Sequence, residues 1–168
     1  SSEIAPASRP GDERPMKILL PLDGSALQRA AVPHALKFAA LLNARVILLR
    51  VLGPVLKKAA PTPADEERIE KALGALREAA FQVSAAGVDC LTLLEEGEAV
   101  PRILSVAREH DVGLIAMATH GRRGISRLLF GSVTEKVIRE APVPMLVVNA
   151  GDSARRRVHR PRTRSARR

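Results

Sequence analysis

The sequence predicts an α/β fold in which helices cover both faces of a five-stranded parallel sheet. Short apolar runs alternate along the 168 residues with segments whose apolar residues recur at helical spacing. Within the short runs the apolar residues are nearly continuous, as is typical of strands that are buried on both faces. Strands that alternate with helices connect through right-handed crossovers, so we expect a three-layer, doubly wound domain.

The expected elements follow one another between residues 17 and 149. We expect strands at residues 17–22, 45–51, 88–94, 112–117 and 145–149, and helices at residues 26–42, 65–86, 98–110 and 133–140. Ser25 with Gln28, and Ser132 with Glu135, have the spacing of capping boxes and predict where the first and last helices begin. Pro33 lies inside the first helix and removes one backbone hydrogen bond, so we expect a kink there or a loosened first half of the helix.

A glycine-bearing loop follows the fourth predicted strand and leads into the last helix. Gly121, Gly124 and Gly131 have no Cβ atom, so the backbone near them can approach a ligand closely. The first N–H groups of the helix and the positive end of its dipole suit a phosphate, and Arg122 adds positive charge nearby. The alternative from these residues alone is an ordinary loop in which Ser132 only caps its own helix.

This loop resembles the signature of the universal stress protein family. Nucleotide-binding members of that family have Gly-x-x-Gly, nine residues, and then Gly-Ser or Gly-Thr. Here nine residues separate Gly121 from Gly131, and Ser132 follows. Ala118 stands at the first position of the pattern, where a glycine is usual.

The resemblance extends over about residues 16–149. Residues 17–25 are similar to the opening strand and turn of the family, and residues 142–148 to its closing strand. The family implies strand order 3-2-1-4-5, the arrangement of the adenine nucleotide alpha hydrolase-like fold. Ligands of doubly wound sheets bind beyond the carboxyl ends of the strands where the winding reverses, which here falls between the first and fourth strands.

The resemblance also implies an adenine-nucleotide site in that crevice. Asp23 is similar to the residue that contacts adenosine, Val51 to the position whose backbone meets the adenine edge, and Met117 and Ala118 to residues that line the pocket. The implied phosphate contacts are Gly121, Arg122, Gly131, Ser132, Val133 and Thr134. From the residues alone, Asp23 is equally a turn residue that binds its own backbone, and Val51 and Met117 are core residues.

The expected function is a stress-response module that binds ATP, or ADP or AMP, and signals through occupancy of its site. Any Mg²⁺ or Mn²⁺ would be held through the phosphates, and no catalytic or metal-ligating residue is predicted. The P-loop motif, the G-x-G-x-x-G motif after the first strand and the G-x-S-x-G motif are all missing from the sequence. The alternatives are a nucleotide-free homodimeric interaction module and a weak ATPase.

We expect a homodimer that forms through the fifth strand. Pro142 and Pro144 lead into this edge strand, whose Leu146, Val147 and Val148 would be exposed on an edge of the sheet without a partner. The resemblance supports this expectation, because family members pair there across a two-fold axis.

The two ends of the chain differ from the region between them. We predict a flexible leader at residues 1–15, one domain at residues 16–150 and a basic, disordered tail at residues 151–168. Residues 152–168 contain eight arginines and one aspartate, which account for +7 of the net charge of +9. Such a tail can attract nucleic acid or an acidic partner, although a solvated end is the simpler expectation. With no signal-peptide pattern and no membrane-length apolar run, we expect a cytoplasmic protein.

Overall fold

The computed structural model describes residues 15–53, 62–119 and 131–149. Strands and helices alternate along these segments as the sequence predicts. The elements are β1 Lys17–Pro21, α1 Ala26–Arg29, α2 Val32–Leu42, β2 Arg45–Leu52, α3 Pro63–Ala85, β3 Cys90–Glu96, α4 Ala99–Glu109, β4 Leu114–Thr119, α5 Ser132–Glu140 and β5 Met145–Asn149. None of the helices in the described segments is long and apolar enough to cross a membrane.

The sheet is parallel throughout and has the order β3-β2-β1-β4-β5. This confirms the fold class and the strand order. β1 pairs with β2 along its whole length, from Lys17 to Pro21. With β4 it pairs only at Ile18 and Leu19. The two strands therefore part early, and the sheet opens between their carboxyl ends.

Each face of the sheet has its own apolar layer. α2 and α3 cover one face, into which Val46 and Leu48 of β2 point. α4 and α5 cover the other face, into which Ile47 and Leu49 point. Successive side chains of a strand point to opposite faces, so one continuous apolar run supplies both layers. The apolar run in residues 45–51 is thus the doubly buried strand that the sequence predicts.

The first predicted helix is two helices rather than one kinked helix. α1 ends at Arg29 and α2 begins at Val32, so the prediction of a continuous helix over residues 26–42 is wrong. Pro33 lies in the first turn of α2, where its missing N–H is tolerated. In a continuous helix that N–H would have bonded to the carbonyl of Arg29, and the break falls where this bond cannot form.

The edge strand β5 is less exposed than the sequence suggests. It pairs with β4 and with no other strand of the described segments. Val148 is buried in the layer beneath α2 and α3, and Leu146 packs against the same layer, so their predicted exposure is wrong. Val147 points to the other face and is 39% exposed. The difference follows from the alternation of side chains along a strand.

Candidate functional site

A cleft opens at the carboxyl end of the sheet, where β1 and β4 part. It is lined by Pro21, Leu22, Asp23, Gln28, Val51, Ala99, Ile103, Met117 and Val133. Four of the residues predicted for the nucleotide site, Asp23, Val51, Met117 and Val133, thus come together although they are far apart in the chain. The cleft has a volume of about 90 Å³. Its wall is mainly apolar, with polar groups at Asp23 and Gln28.

Asp23 follows β1 and combines the two interpretations that the sequence left open. Its Oδ1 accepts a hydrogen bond of 2.8 Å from the N–H of Ser25, so it is a turn residue that binds its own backbone. A carboxylate has a second oxygen, and Oδ2 accepts no hydrogen bond from any residue that the structure describes. Because Asp23 is exposed and lines the cleft, this oxygen is available to a ligand.

Arg50 of β2 supports this turn from the face of the sheet opposite Val51. Its Nη1 donates to the carbonyl oxygen of Leu22 at 3.1 Å. The same guanidinium packs against Gly24, where a Cβ atom would lie 3.4 Å from Nη1. Gly24 has a φ of +84°, a conformation that favours glycine. The turn that carries Asp23 is therefore fixed by both its own conformation and a side chain behind it.

The Arg50 guanidinium is held in a partly buried position. Burial lowers the pKa of Arg50, whereas the carboxylate of Asp23 acts in the opposite direction. Its Nε atom is buried without a hydrogen-bond partner in the described part of the chain. Sequence reasoning did not identify Arg50 as a residue of the site. The available signal was a charged residue inside an otherwise apolar strand.

Gln28 of α1 makes only half of the predicted capping box. Its N–H donates to Ser25 Oγ at 3.2 Å, as the box requires. Its side chain does not return to the backbone of Ser25, whose N–H is bound to Asp23. The Gln28 Oε1 instead accepts a hydrogen bond of 3.4 Å from the N–H of Ala118 in β4. Gln28 thus lies in the wall of the cleft, which sequence reasoning missed.

Ala118 is accommodated without backbone strain. It lies inside β4 and is 1% exposed, and it is not among the described non-glycine residues with positive φ. An alanine methyl at such a position is harmless to the backbone. Ala118 does not itself line the cleft, and its contribution to the wall is the N–H that holds Gln28.

The start of α5 forms the other end of the candidate site. The structure corrects the predicted cap: Gly131 is the N-cap residue, and Ser132 is the first residue inside the helix. The helix has no side-chain cap among the described residues, and the side chain of Glu135 pairs with Arg139 at 2.8 Å. The helix begins one residue earlier than a serine cap requires, so the Ser132 hydroxyl is not in capping position.

The remaining predicted phosphate contacts are distributed around this helix start. A Cβ atom on Gly131 would meet no described atom within 4 Å. Ser132 and Val133 line a second hollow of about 270 Å³ between α4 and α5, which adjoins the cleft at Val133. Thr134 is buried, with 3% of the residue exposed, so its hydroxyl group is not open to solvent at this helix start. Gly121 and Arg122 lie outside the described residues.

The helix start is suited to an anion, and the described residues of the site form no metal cluster. The first N–H groups of a helix have no acceptor within it, which leaves those of Ser132, Val133 and Thr134 available. Within residues 15–53, 62–119 and 131–149, no group of three or more His, Cys, Asp or Glu side chains could hold a metal ion.

Comparisons with known proteins agree with this architecture. The model of the universal stress protein family matches residues 15–149. The universal stress protein MJ0531 of Methanocaldococcus jannaschii is 32% identical over 145 residues, which cover 83% of this chain and 85% of that protein. A universal stress protein of Thermus aquaticus is 33% identical over 138 residues, which cover 78% of this chain and 96% of the relative.

Solved structures show the same likeness. The structure of protein MJ0577 superposes with a TM-score of 0.67 and 28% identity, covering 80% of this chain and 95% of the other. A universal stress protein in complex with cAMP superposes with a TM-score of 0.61 and 26% identity, covering 80% and 97%. The chain described here therefore belongs to the universal stress protein family.

Proposed function

We propose that this protein binds an adenine nucleotide, ATP or its products ADP and AMP, in the cleft between β1 and β4. Occupancy of the cleft then acts as a signal in a stress response. The observation that carries this proposal is the convergence of Asp23, Val51, Met117 and Val133 on one cleft at the point where the sheet changes winding direction. This is the place where open α/β sheets bind ligands.

The chemistry of the cleft fits the nucleoside part of such a ligand. Val51, Ile103 and Met117 offer an apolar wall to the base. The free carboxylate oxygen of Asp23 can accept hydrogen bonds from ribose hydroxyl groups. The volume of about 90 Å³ is below the roughly 300–1,000 Å³ of whole ligand pockets, so the cleft holds one part of the nucleotide.

The phosphates would extend toward the start of α5. The N–H groups of Ser132, Val133 and Thr134 are arranged there without intrahelical acceptors, and the hollow of about 270 Å³ continues from Val133. Gly121 and Arg122, outside the described residues, and Gly131 are further proposed phosphate contacts. A Mg²⁺ or Mn²⁺ ion would be held by the phosphates rather than by a protein site.

The similarity to solved structures supports an adenine-containing ligand. One universal stress protein that superposes on this chain, at 26% identity, is in complex with cAMP. That ligand shares the adenine, the ribose and a phosphate with the nucleotides proposed here.

Isothermal titration of the purified protein with ATP tests the proposal. We expect saturable binding that Gly131→Leu abolishes. A Cβ on Gly131 would meet no described atom within 4 Å, so the new side chain is compatible with the described part of the fold and would block the approach of the phosphates. Gly74→Leu is the matched control, since a Cβ on Gly74 of α3 also meets nothing within 4 Å in the described structure. Unchanged affinity in Gly131→Leu, or no binding by wild type at millimolar ATP, would contradict the proposal.

A homodimeric interaction module is the second candidate, favoured by the exposed side chain of Val147 on the edge strand β5. Sedimentation of wild type and Val147→Lys, with and without ATP, tests it. We expect a dimer that Val147→Lys dissociates. A monomeric wild type would exclude this interface, and a dimer that forms only without ATP would favour the module over the nucleotide sensor.

A further inference from the structure

The parting of β1 and β4 leaves backbone groups of β4 without a neighbouring strand. Ile115 donates its N–H to the carbonyl of Pro144, on the β5 side of β4. Backbone groups alternate in direction along a strand, so the N–H of Ala118 points to the β1 side. The ladder between β1 and β4 ends at Leu19 and Ile115, before it reaches Ala118.

Gln28 supplies the missing partner. Ala118 is buried, and a buried backbone N–H without a partner would be costly. Its N–H can only donate, so the atom of Gln28 that lies 3.4 Å away is the amide oxygen. This contact fixes the orientation of the Gln28 amide group. The amide nitrogen must then be the other end of the group.

The Gln28 amide nitrogen is an unused donor in the wall of the cleft. Among the described residues, the bond from the Ala118 N–H is the hydrogen bond of the Gln28 side chain, and it uses Oε1 rather than Nε2. Gln28 is 6% exposed and lines the cleft together with Asp23. An amide NH₂ group and a carboxylate in the lining of one cleft can offer a ligand both a donor and an acceptor.

We propose that Gln28 is a ligand-recognition residue whose Nε2 donates a hydrogen bond to the nucleoside part of the bound nucleotide. This inference rests on the nucleotide-binding function proposed above. The acceptor is a ring nitrogen or a ribose oxygen, since Asp23 in the same cleft takes the hydroxyl donors. Gln28 would thus have two roles: its oxygen accepts the hydrogen bond of the Ala118 N–H, and its nitrogen donates a hydrogen bond to the ligand.

The competing explanation is that Gln28 only satisfies Ala118 and otherwise fills space. Gln28→Glu separates the two roles, because the carboxylate still offers an oxygen to the Ala118 N–H but has no donor at pH 8. We expect the affinity for adenosine to fall by about tenfold, as for a lost hydrogen bond in a desolvated site. Adenosine is the probe because it has no phosphates that the new charge would repel. Burial of the new carboxylate in the cleft that Asp23 also lines should lower the melting temperature, so both proteins are titrated well below the lower of the two melting temperatures.

Gln82→Glu is the matched control. The chain contains two glutamines, Gln28 and Gln82, and Gln82 is exposed on α3. The same chemical change there should leave adenosine affinity unchanged.

A nuclear magnetic resonance measurement detects the contact between the Gln28 amide group and adenosine directly. The chain has two pairs of glutamine side-chain NH₂ signals, and the spectra of Gln28→Glu and Gln82→Glu assign one pair each and separate both from the asparagine signals. On titration with adenosine, the Gln28 pair should shift and the Gln82 pair should not.

The outcomes distinguish this inference from the function on which it rests. If wild type binds neither adenosine nor ATP, both fail. If wild type binds adenosine while the Gln28 NH₂ signals stay in place, the role of Gln28 alone is overturned. Tighter adenosine binding by Gln28→Glu would also overturn it and would identify Gln28 as an obstruction of the cleft.

Discussion

The two ends of the cleft are built differently. The turn that carries Asp23 is held by a glycine at φ +84° and by Arg50, which packs behind it and binds the carbonyl of Leu22. The start of α5 is open: Gly131 has φ −59°, no described side chain caps the helix, and no described atom lies within 4 Å of a Cβ on Gly131.

The difference indicates that the two ends have different roles. The turn that carries Asp23 provides specificity for the nucleoside, and the start of α5 provides affinity for phosphate. A group that is already fixed before the ligand arrives needs little ordering on binding, so the nucleoside end is preorganised. The α5 end offers backbone N–H groups, which recognise phosphate without side chains of particular shape. The proposed difference between the two ends can therefore be tested by changes that loosen the first end or obstruct the second.

Among the changes at the fixed end of the cleft, the largest effect is expected at Asp23. In Asp23→Asn the side-chain oxygen can still accept from the N–H of Ser25, so the turn is kept while the charge is lost. A lost hydrogen bond to a charged group corresponds to about 1.5–3 kcal/mol, or roughly 10- to 100-fold in adenosine affinity by titration calorimetry. The control is Asp89→Asn, an exposed aspartate that pairs with Arg45 at 2.6 Å. Wild-type affinity in Asp23→Asn would remove Asp23 from the site.

Two glycine substitutions test whether the two ends of the cleft differ in rigidity. We expect Gly24→Ala to lower the free energy of unfolding by about 1 kcal/mol or more, because φ is +84° and Arg50 is 3.4 Å away. Gly131→Ala should lie within about 0.5 kcal/mol of wild type, since its conformation suits any residue and its new Cβ would meet no described atom within 4 Å. Urea unfolding measures both. Equal effects would mean that the two ends do not differ in rigidity.

A smaller effect is expected at Arg50. Arg50→Met removes the donor to Leu22 and should lower the free energy of unfolding by about 1 kcal/mol. Faster amide exchange is expected at Ser25, whose N–H reports on the turn. Arg45→Met on the same strand is the control, because its exposed ion pair with Asp89 is worth about 0–1 kcal/mol and lies at the other end of β2. Unchanged exchange at Ser25 would show that Arg50 does not support the turn.

The sequence predicted the architecture because the signals for it are local. A continuous apolar run such as residues 45–51 identifies a doubly buried strand by itself, and the family signature supplied the strand order. The resemblance to the family also predicted that Asp23, Val51, Met117 and Val133 lie in one site.

Local patterns failed where a distant contact decided the outcome. Ser25 and Gln28 have capping-box spacing, yet the Gln28 side chain turns to Ala118, 90 residues away, because β4 has an unpaired N–H there. Arg50 gains its role from Leu22, 28 residues away. By contrast Thr62 and Asp65, with the same spacing, form a complete box at the start of α3. The spacing of Ser25 and Gln28 is identical to that of Thr62 and Asp65, and only the surroundings of the side chains differ.

The structure of the protein crystallised with ATP tests the central claim most directly. We expect the adenosine moiety between Asp23 and Val51 in the cleft, with the phosphates on the N–H groups at the start of α5. An empty cleft at saturating ATP, or nucleotide bound elsewhere on the protein, would contradict it.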